Sequence, residues 1–165
     1  MDERRTGVAR LCVLIADNNA DTREMYALYL NMSGYWVETA VDGHEAVIKA
    51  RTLRPDLIVM DLHMPKLDGR GAINELQSSI VTASMPIVVL TGHDLREYLK
   101  SAALAAGACS FLMKPCSPER LAREVATRFS GLRHQRPGTK QSAPPSSRRA
   151  RSRLAGFLRP ACPRR

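Results

Sequence analysis

The chain has 165 residues, 44% of them apolar and 25% charged, enough length and apolar content for one domain with a buried core. No apolar run approaches the ~18 residues of a membrane span, and the charged N-terminus MDERRTGVAR is not followed by an apolar signal core, so a cytoplasmic protein without a transmembrane segment is expected. The net charge of +9 hides two regimes: from Leu132 onward there are ten Arg and Lys and no acid, whereas residues 1–131 hold fifteen basic and sixteen acidic side chains, a balance of −1.

In chain order, LCVLIA (11–16) is a continuous apolar run, as expected for a strand buried on both faces. ADTREMYALYLNMSG follows as a helix, with Met25, Leu28 and Tyr29 at helical spacing and Gly34 at its end. YWVETA alternates more and reads as a strand nearer the sheet edge. DGHEAVIKARTLR is a second helix with Ala46, Val47 and Ala50 on one face, ended by Pro55. DLIVMD (56–61) is a third strand, and LDGRGAINELQSS a weaker helix loosened by Gly69 and Gly71. PIVVLT (86–91) is a fourth strand, DLREYLKSAALAAG a fourth helix closed by Gly107, and CSFLMK (109–114) a fifth strand. SPERLAREVATRF is a fifth helix, with Ser117 as N-cap and Pro118 at the first helical position.

Five strands alternating with five helices predict an α/β fold, a doubly wound five-stranded parallel sheet with helices on both faces. A domain is expected over residues 10–131. Residues 132–165 are rich in Pro, Ser and Arg without apolar period, which predicts a basic disordered tail. None of Cys12, Cys109, Cys116 and Cys162 forms a CxxC pair or a zinc spacing, and Cys12 and Cys109 read as small core residues.

Ligands of such sheets bind beyond the carboxyl ends of the strands. Those ends carry Asp17, Asp61, Thr91 and Lys114: two carboxylates, a hydroxyl and an ammonium. Each alone is ordinary, since a terminal Asp commonly caps a helix and a terminal Thr or Lys is commonly solvated. Four at successive strand ends of one sheet form a constellation.

On these residues the chain from about 10 to 131 resembles a response-regulator receiver domain of two-component phosphorelays, with the flavodoxin-like receiver fold. MDLHMPKLDG matches that family's D-x-x-M-P-x-x-D-G segment, VVLTG its fourth-strand threonine segment, FLMKP its Lys-Pro segment, and VLIADNN stands at its acidic pair. The resemblance implies that Asp61 accepts a phosphoryl group from a histidine kinase or phosphotransfer protein. It implies Mg²⁺ held by Asp17, Asn18, Asp61 and the backbone carbonyl of His63, with Thr91 and Lys114 binding the phosphoryl oxygens. Thr91 and Phe111 would form the switch, the alternative for Phe111 being a plain core residue. Pro65 and Gly69 would shape the loop after Asp61, and Pro115, behind a cis bond, would aim the lysine. His63 and His93 stand where the family tunes the lifetime of the aspartyl phosphate, although exposed loop histidines fit as well.

Asn18 departs from the family, which usually has two adjacent acids here. An amide oxygen ligates Mg²⁺ without charge, so weakened metal dependence is expected. An EF-hand fails because Thr22 stands where the loop needs Gly and Leu28 where it needs Glu. An aspartyl phosphatase would need an acid where Asn19 stands. The expectation is therefore a stand-alone receiver that is not an enzyme and changes binding to an unknown output protein. Pairing of two copies into a homodimer through the fourth and fifth helices stays open. The alternative is a phosphorylation-independent receiver-like module whose basic tail binds an acidic partner or nucleic acid.

Overall fold

A computed structural model of the chain describes residues 10–92 and 97–133. Its elements alternate in chain order: β1 (Cys12–Ala16), α1 (Ala20–Met32), β2 (Trp36–Ala40), α2 (Gly43–Leu53), β3 (Leu57–Met60), α3 (Gly69–Gln77), β4 (Ile87–Thr91), α4 (Glu97–Ala105), β5 (Ser110–Met113) and α5 (Pro118–Arg133). All strand pairs are parallel and the sheet order is β2-β1-β3-β4-β5. The chain steps outward from β1 to β2, then returns across β1 to β3. That reversal opens a crevice at the carboxyl ends of β1 and β3, where ligands of doubly wound sheets bind.

The β-branched and leucine-rich strands point alternate side chains to opposite faces, and helices cover both. Leu14, Ile58, Met60, Ile87 and Val89 pack with Ala46, Val47 and Ala50 of α2, Ala72, Ile73 and Leu76 of α3, and Ala103 of α4. Val13, Ile15, Leu57, Val59, Val88 and Leu90 pack with Tyr26 and Leu30 of α1 and Leu121, Val125 and Phe129 of α5. The alanines of α2 let that helix lie close to the sheet. β2 is an edge strand, as its alternation suggests, and only Ala40 in it is fully buried.

Both helix-ending glycines sit in left-handed conformation. Gly34 (φ +93°) and Gly107 (φ +106°) each follow a helix whose last carbonyls are closed by paired backbone bonds: Tyr35 N to Leu30 O and Gly34 N to Asn31 O after α1, Ala108 N to Ala103 O and Gly107 N to Leu104 O after α4. Ser117 caps α5, its hydroxyl accepting from Arg120 N at 3.3 Å, and Pro118 is the first helical residue.

Three sequence expectations need correction. The buried face of α1 is Tyr26 and Leu30, whereas Met25 and Leu28 are 42% and 64% exposed and Tyr29 is half-buried. Apolar residues cover most of that helix, so periodicity alone does not choose its inner face. The glycines of α3 do not loosen its interior: Gly69 and Gly71 lie in its first turn, after an Asp68 cap whose carboxylate accepts from Gly71 N at 2.7 Å. α5 continues to Arg133, past Phe129 where the sequence pattern ends it. Cys12 is buried as expected, and Cys109 is half-buried against the α1/α5 layer. The segment from 134 to 165 and Cys162 lie outside the described residues.

Candidate functional site

Sheet register delivers the two carboxylates. Ala16 pairs with Ala40 on one side and Met60 on the other, and the next amides extend the ladder, Asp17 N to Ala40 O at 3.1 Å and Asp61 N to Ala16 O at 2.9 Å. Asp17 and Asp61 are therefore neighbours at the crevice, 2% and 5% exposed. Buried carboxylates need partners, and each oxygen has one. Asp17 Oδ1 accepts from Asn19 N at 2.9 Å and Asp61 Oδ1 from His63 N at 3.1 Å. Lys114 Nζ donates to Asp17 Oδ2 at 2.6 Å and to Asp61 Oδ2 at 2.7 Å. Burial works against the Lys114 ammonium, but the hydrogen bonds and charges of Asp17 and Asp61 outweigh it and hold its pKa above the ordinary lysine value.

β4 and β5 bring the remaining groups. Thr91 pairs with Met113, its carbonyl accepts from Lys114 N at 2.7 Å, and its side chain is fully buried. The Thr91 hydroxyl lies 3.2 Å from His63 Nδ1, so the histidine after Asp61 engages the threonine. Phe111 is half-buried and packs on the α2/α3/α4 layer. The Lys114–Pro115 bond is cis, as the resemblance implies.

The loop after Asp61 is tightly seated. A Cβ on Gly69 would fall 2.0 Å from the Asp61 carbonyl oxygen, so only glycine lets the start of α3 close on the end of β3. Pro65 is exposed on this loop, and the next residue, Lys66, has φ +63°. Lys66 Nζ bonds Asp42 Oδ2 at 2.6 Å, while Asp42 Oδ1 caps α2 through Glu45 N at 2.8 Å. Gly43 N donates to Leu67 O at 3.1 Å, completing a clamp between this loop and α2. Asn18 is exposed at the rim, and Asn19 is spent as the N-cap of α1, its side-chain oxygen accepting from Thr22 N at 2.9 Å. His93 lies outside the described residues.

The constellation expected at the strand ends is thus one cluster for Asp17, Asp61, Thr91 and Lys114, with His63 joined to it and Asn18 on its edge. Sequence reading passed over the Asp42–Lys66 clamp, although Asp42-Gly43 carries the usual helix-start chemistry. It also passed over Arg23, whose Nη1 donates to Asp17 O at 2.7 Å, and Tyr26, whose hydroxyl donates to Cys116 O at 2.7 Å. Neither of these long-range or backbone contacts leaves a pattern in spacing.

The donors at this rim suit a hard divalent cation. They are carboxylate, amide and carbonyl oxygens with no thiol, and the imidazole of His63 is engaged elsewhere. The set is sparse in charge: among the described residues no cluster of three His, Cys, Asp or Glu forms a metal centre. Also among the described residues, no helix is long and apolar enough to cross a membrane.

Residues 13–126 match the response regulator receiver domain family. The chain is 35% identical over 146 residues to the alkaline phosphatase synthesis transcriptional regulatory protein PhoP of Bacillus subtilis, covering 88% of this chain and 56% of that one. It is likewise 35% identical over 138 residues to the transcriptional regulatory protein PrrA of Mycobacterium tuberculosis, covering 84% and 56%. It therefore spans about half the length of these curated relatives. Among solved structures, chemotaxis protein CheY4 of Vibrio cholerae superposes with a TM-score of 0.68 at 33% identity, covering 72% of this chain and 98% of that one. A response regulator receiver protein from Pseudomonas putida gives a TM-score of 0.68 at 30% identity, with coverage of 72% and 98%. With the family match spanning most of the sheet and its strand ends, the chain belongs to the response regulator receiver family.

Proposed function

We propose that the chain is a phosphorelay receiver in which Asp61 takes a phosphoryl group from a histidine kinase or phosphotransfer protein and alters binding to an output partner. The observation that carries this reading is the joint grip of Lys114 on Asp17 and Asp61, beside a buried Thr91, at the switch point of the sheet. One Asp61 oxygen, let go by its hydrogen-bond donor, attacks phosphorus, the bond from phosphorus to the donor nitrogen or acyl oxygen breaks, and the leaving group departs with the electron pair. Lys114 then has a phosphoryl oxygen to pair with as a point charge, and Thr91 has a hydroxyl to donate once it leaves His63. His63, at the mouth of this exchange, bears on how water reaches the acyl phosphate.

Receiver domains generally bind Mg²⁺. Here Asp17, Asp61, the His63 carbonyl and Asn18 would hold it, and when bound it offsets the charge repulsion between carboxylate and phosphoryl group. Asn18 supplies oxygen without charge, which supports a weakened dependence on Mg²⁺. The domain would span residues 10–131, with 132–165 as a basic extension, and act in the cytoplasm as an interaction module rather than an enzyme. The names of PhoP and PrrA support an output in transcriptional regulation.

Intact-mass measurement with acetyl phosphate across a Mg²⁺ titration tests the reading. One phosphoryl adduct is expected on the wild type and none on Asp61→Ala, with Asn18→Asp reaching the same occupancy at lower Mg²⁺. A wild-type protein that takes up no adduct at any Mg²⁺ concentration overturns it.

A further inference from the structure

Tyr26 is a buried titratable group that the proposed chemistry does not use. It lies on the inner face of α1, 2% exposed, packed with the α1/α5 layer. A phenylalanine ring would fill the same apolar space, so packing does not explain the hydroxyl. That hydroxyl donates to Cys116 O at 2.7 Å, a buried bond across 90 residues of sequence. The Cys116 carbonyl lies just before the Ser117 cap of α5, outside the helix ladder that starts with Leu121 N to Ser117 O. Burial, with Cys116 and Asp17 adding to it, pushes the phenol up to about 12, so it stays a neutral donor across the physiological range.

Cys116 is two residues beyond Lys114. The lysine backbone is therefore bracketed: Lys114 N is fixed to Thr91 O on one side and Cys116 O to Tyr26 on the other. A lysine stem has four rotatable carbons and holds its charge in place poorly by itself. Where the stem begins decides whether one ammonium reaches two carboxylates at once. α1 is tied to the other side of the site too, since Arg23, one turn earlier, donates to Asp17 O at 2.7 Å.

We propose that Tyr26 is a positioning residue for Lys114, its hydroxyl holding the 114–116 segment through the Cys116 carbonyl so that the ammonium spans Asp17 and Asp61. Only the kinetic consequence rests on Asp61 being the phosphoacceptor; the placement of Lys114 does not.

The test is Tyr26→Phe, which keeps the ring, read in two ways on the full chain. In competitive acetic anhydride labelling followed by peptide mass spectrometry, the pinned Lys114 amine is slow to react. Tyr26→Phe is expected to raise Lys114 labelling about threefold as the amine loses its double grip on the carboxylates, while Lys49, held at the far side of the sheet by Glu45, stays unchanged. In the second reading, the rate of adduct formation with acetyl phosphate is expected to fall about tenfold in Tyr26→Phe and to change less than about twofold when the same substitution is made in Lys114→Met. Unchanged Lys114 labelling, or an equal rise at Lys49, overturns the positioning role. So does an equal loss of rate in both backgrounds. Absence of any adduct in the wild type sinks the phosphoacceptor reading instead, and the labelling still decides the role of Tyr26.

Discussion

Replacing Lys114 by methionine keeps most of the stem and removes the charge. Asp17 Oδ2 and Asp61 Oδ2 lie 2.6 and 2.7 Å from the same nitrogen, so they are no more than about 5.3 Å apart. Two unit charges at that distance repel by about 3 kcal/mol at an effective dielectric near 20. Both carboxylates are nearly buried, so solvent screens them little. Removing their common partner leaves that repulsion uncompensated, and a loss of about 2–4 kcal/mol of folding free energy is expected at pH 7. The same reasoning fixes a further observable. Adding Mg²⁺ should restore more stability to Lys114→Met than to the wild type, because no ammonium competes for the oxygens. Urea unfolding at pH 7, with and without Mg²⁺, measures both. A variant as stable as the wild type, with the same Mg²⁺ response, would refute the claim that Lys114 neutralises the pair.

Asn18→Asp should tighten Mg²⁺ binding about tenfold by calorimetry, since a gross gain of several kcal/mol is largely cancelled by desolvation at an exposed position. Gly69→Ala forces a Cβ onto the Asp61 carbonyl and should lower stability by about 1–3 kcal/mol while displacing the end of β3, visible as shifted amide resonances at Asp61 and Leu62. The Asp42 carboxyl is held below its ordinary pKa by Glu45 N, with Lys66 adding to it, so its contribution is complete above about pH 4 and is lost as pH falls through the lowered value. Scanning calorimetry should therefore show a shallower acid decline for Asp42→Asn than for the wild type. On α1, Leu30→Ala should cost about 2–5 kcal/mol in urea unfolding and Leu28→Ala less than about 0.5, which checks that the helix buries the first and exposes the second.

The sheet was legible because strands buried on both faces leave runs such as LCVLIA and PIVVLT that little else explains. The helix ends were legible for a related reason: Gly34 and Gly107 occupy backbone conformations that other residues avoid. What α1 buries was not legible, because a helix with Met25, Tyr26, Leu28, Tyr29, Leu30 and Met32 offers apolar residues in most directions and the choice is made by α5 and the sheet. The strand-end residues of the site could be read, since each ends a recognisable run. Their bonding could not. That one ammonium satisfies two carboxylates, that His63 touches Thr91, and that Tyr26 reaches Cys116 all depend on register and crossing geometry between segments far apart in sequence.

These bonds change the meaning of Asn18. A rim with three acids and one ammonium would be strongly negative and in need of a cation; this one has two buried acids, each oxygen already paired, and an exposed amide. The site is therefore close to satisfied by the protein alone, and Lys114 carries that balance. In the proposed reaction the same ammonium would meet the incoming phosphoryl oxygen: two of its three N–H groups are spent on the aspartates at 2.6 and 2.7 Å, and the third would serve the phosphoryl group. Two carboxylates and a phosphoryl group would then share one ammonium, and by linkage whatever else helps hold the aspartates would favour phosphorylation by the same factor. With an amide at position 18, control of such a site would lie less in the number of acids at its edge than in the placement of one lysine.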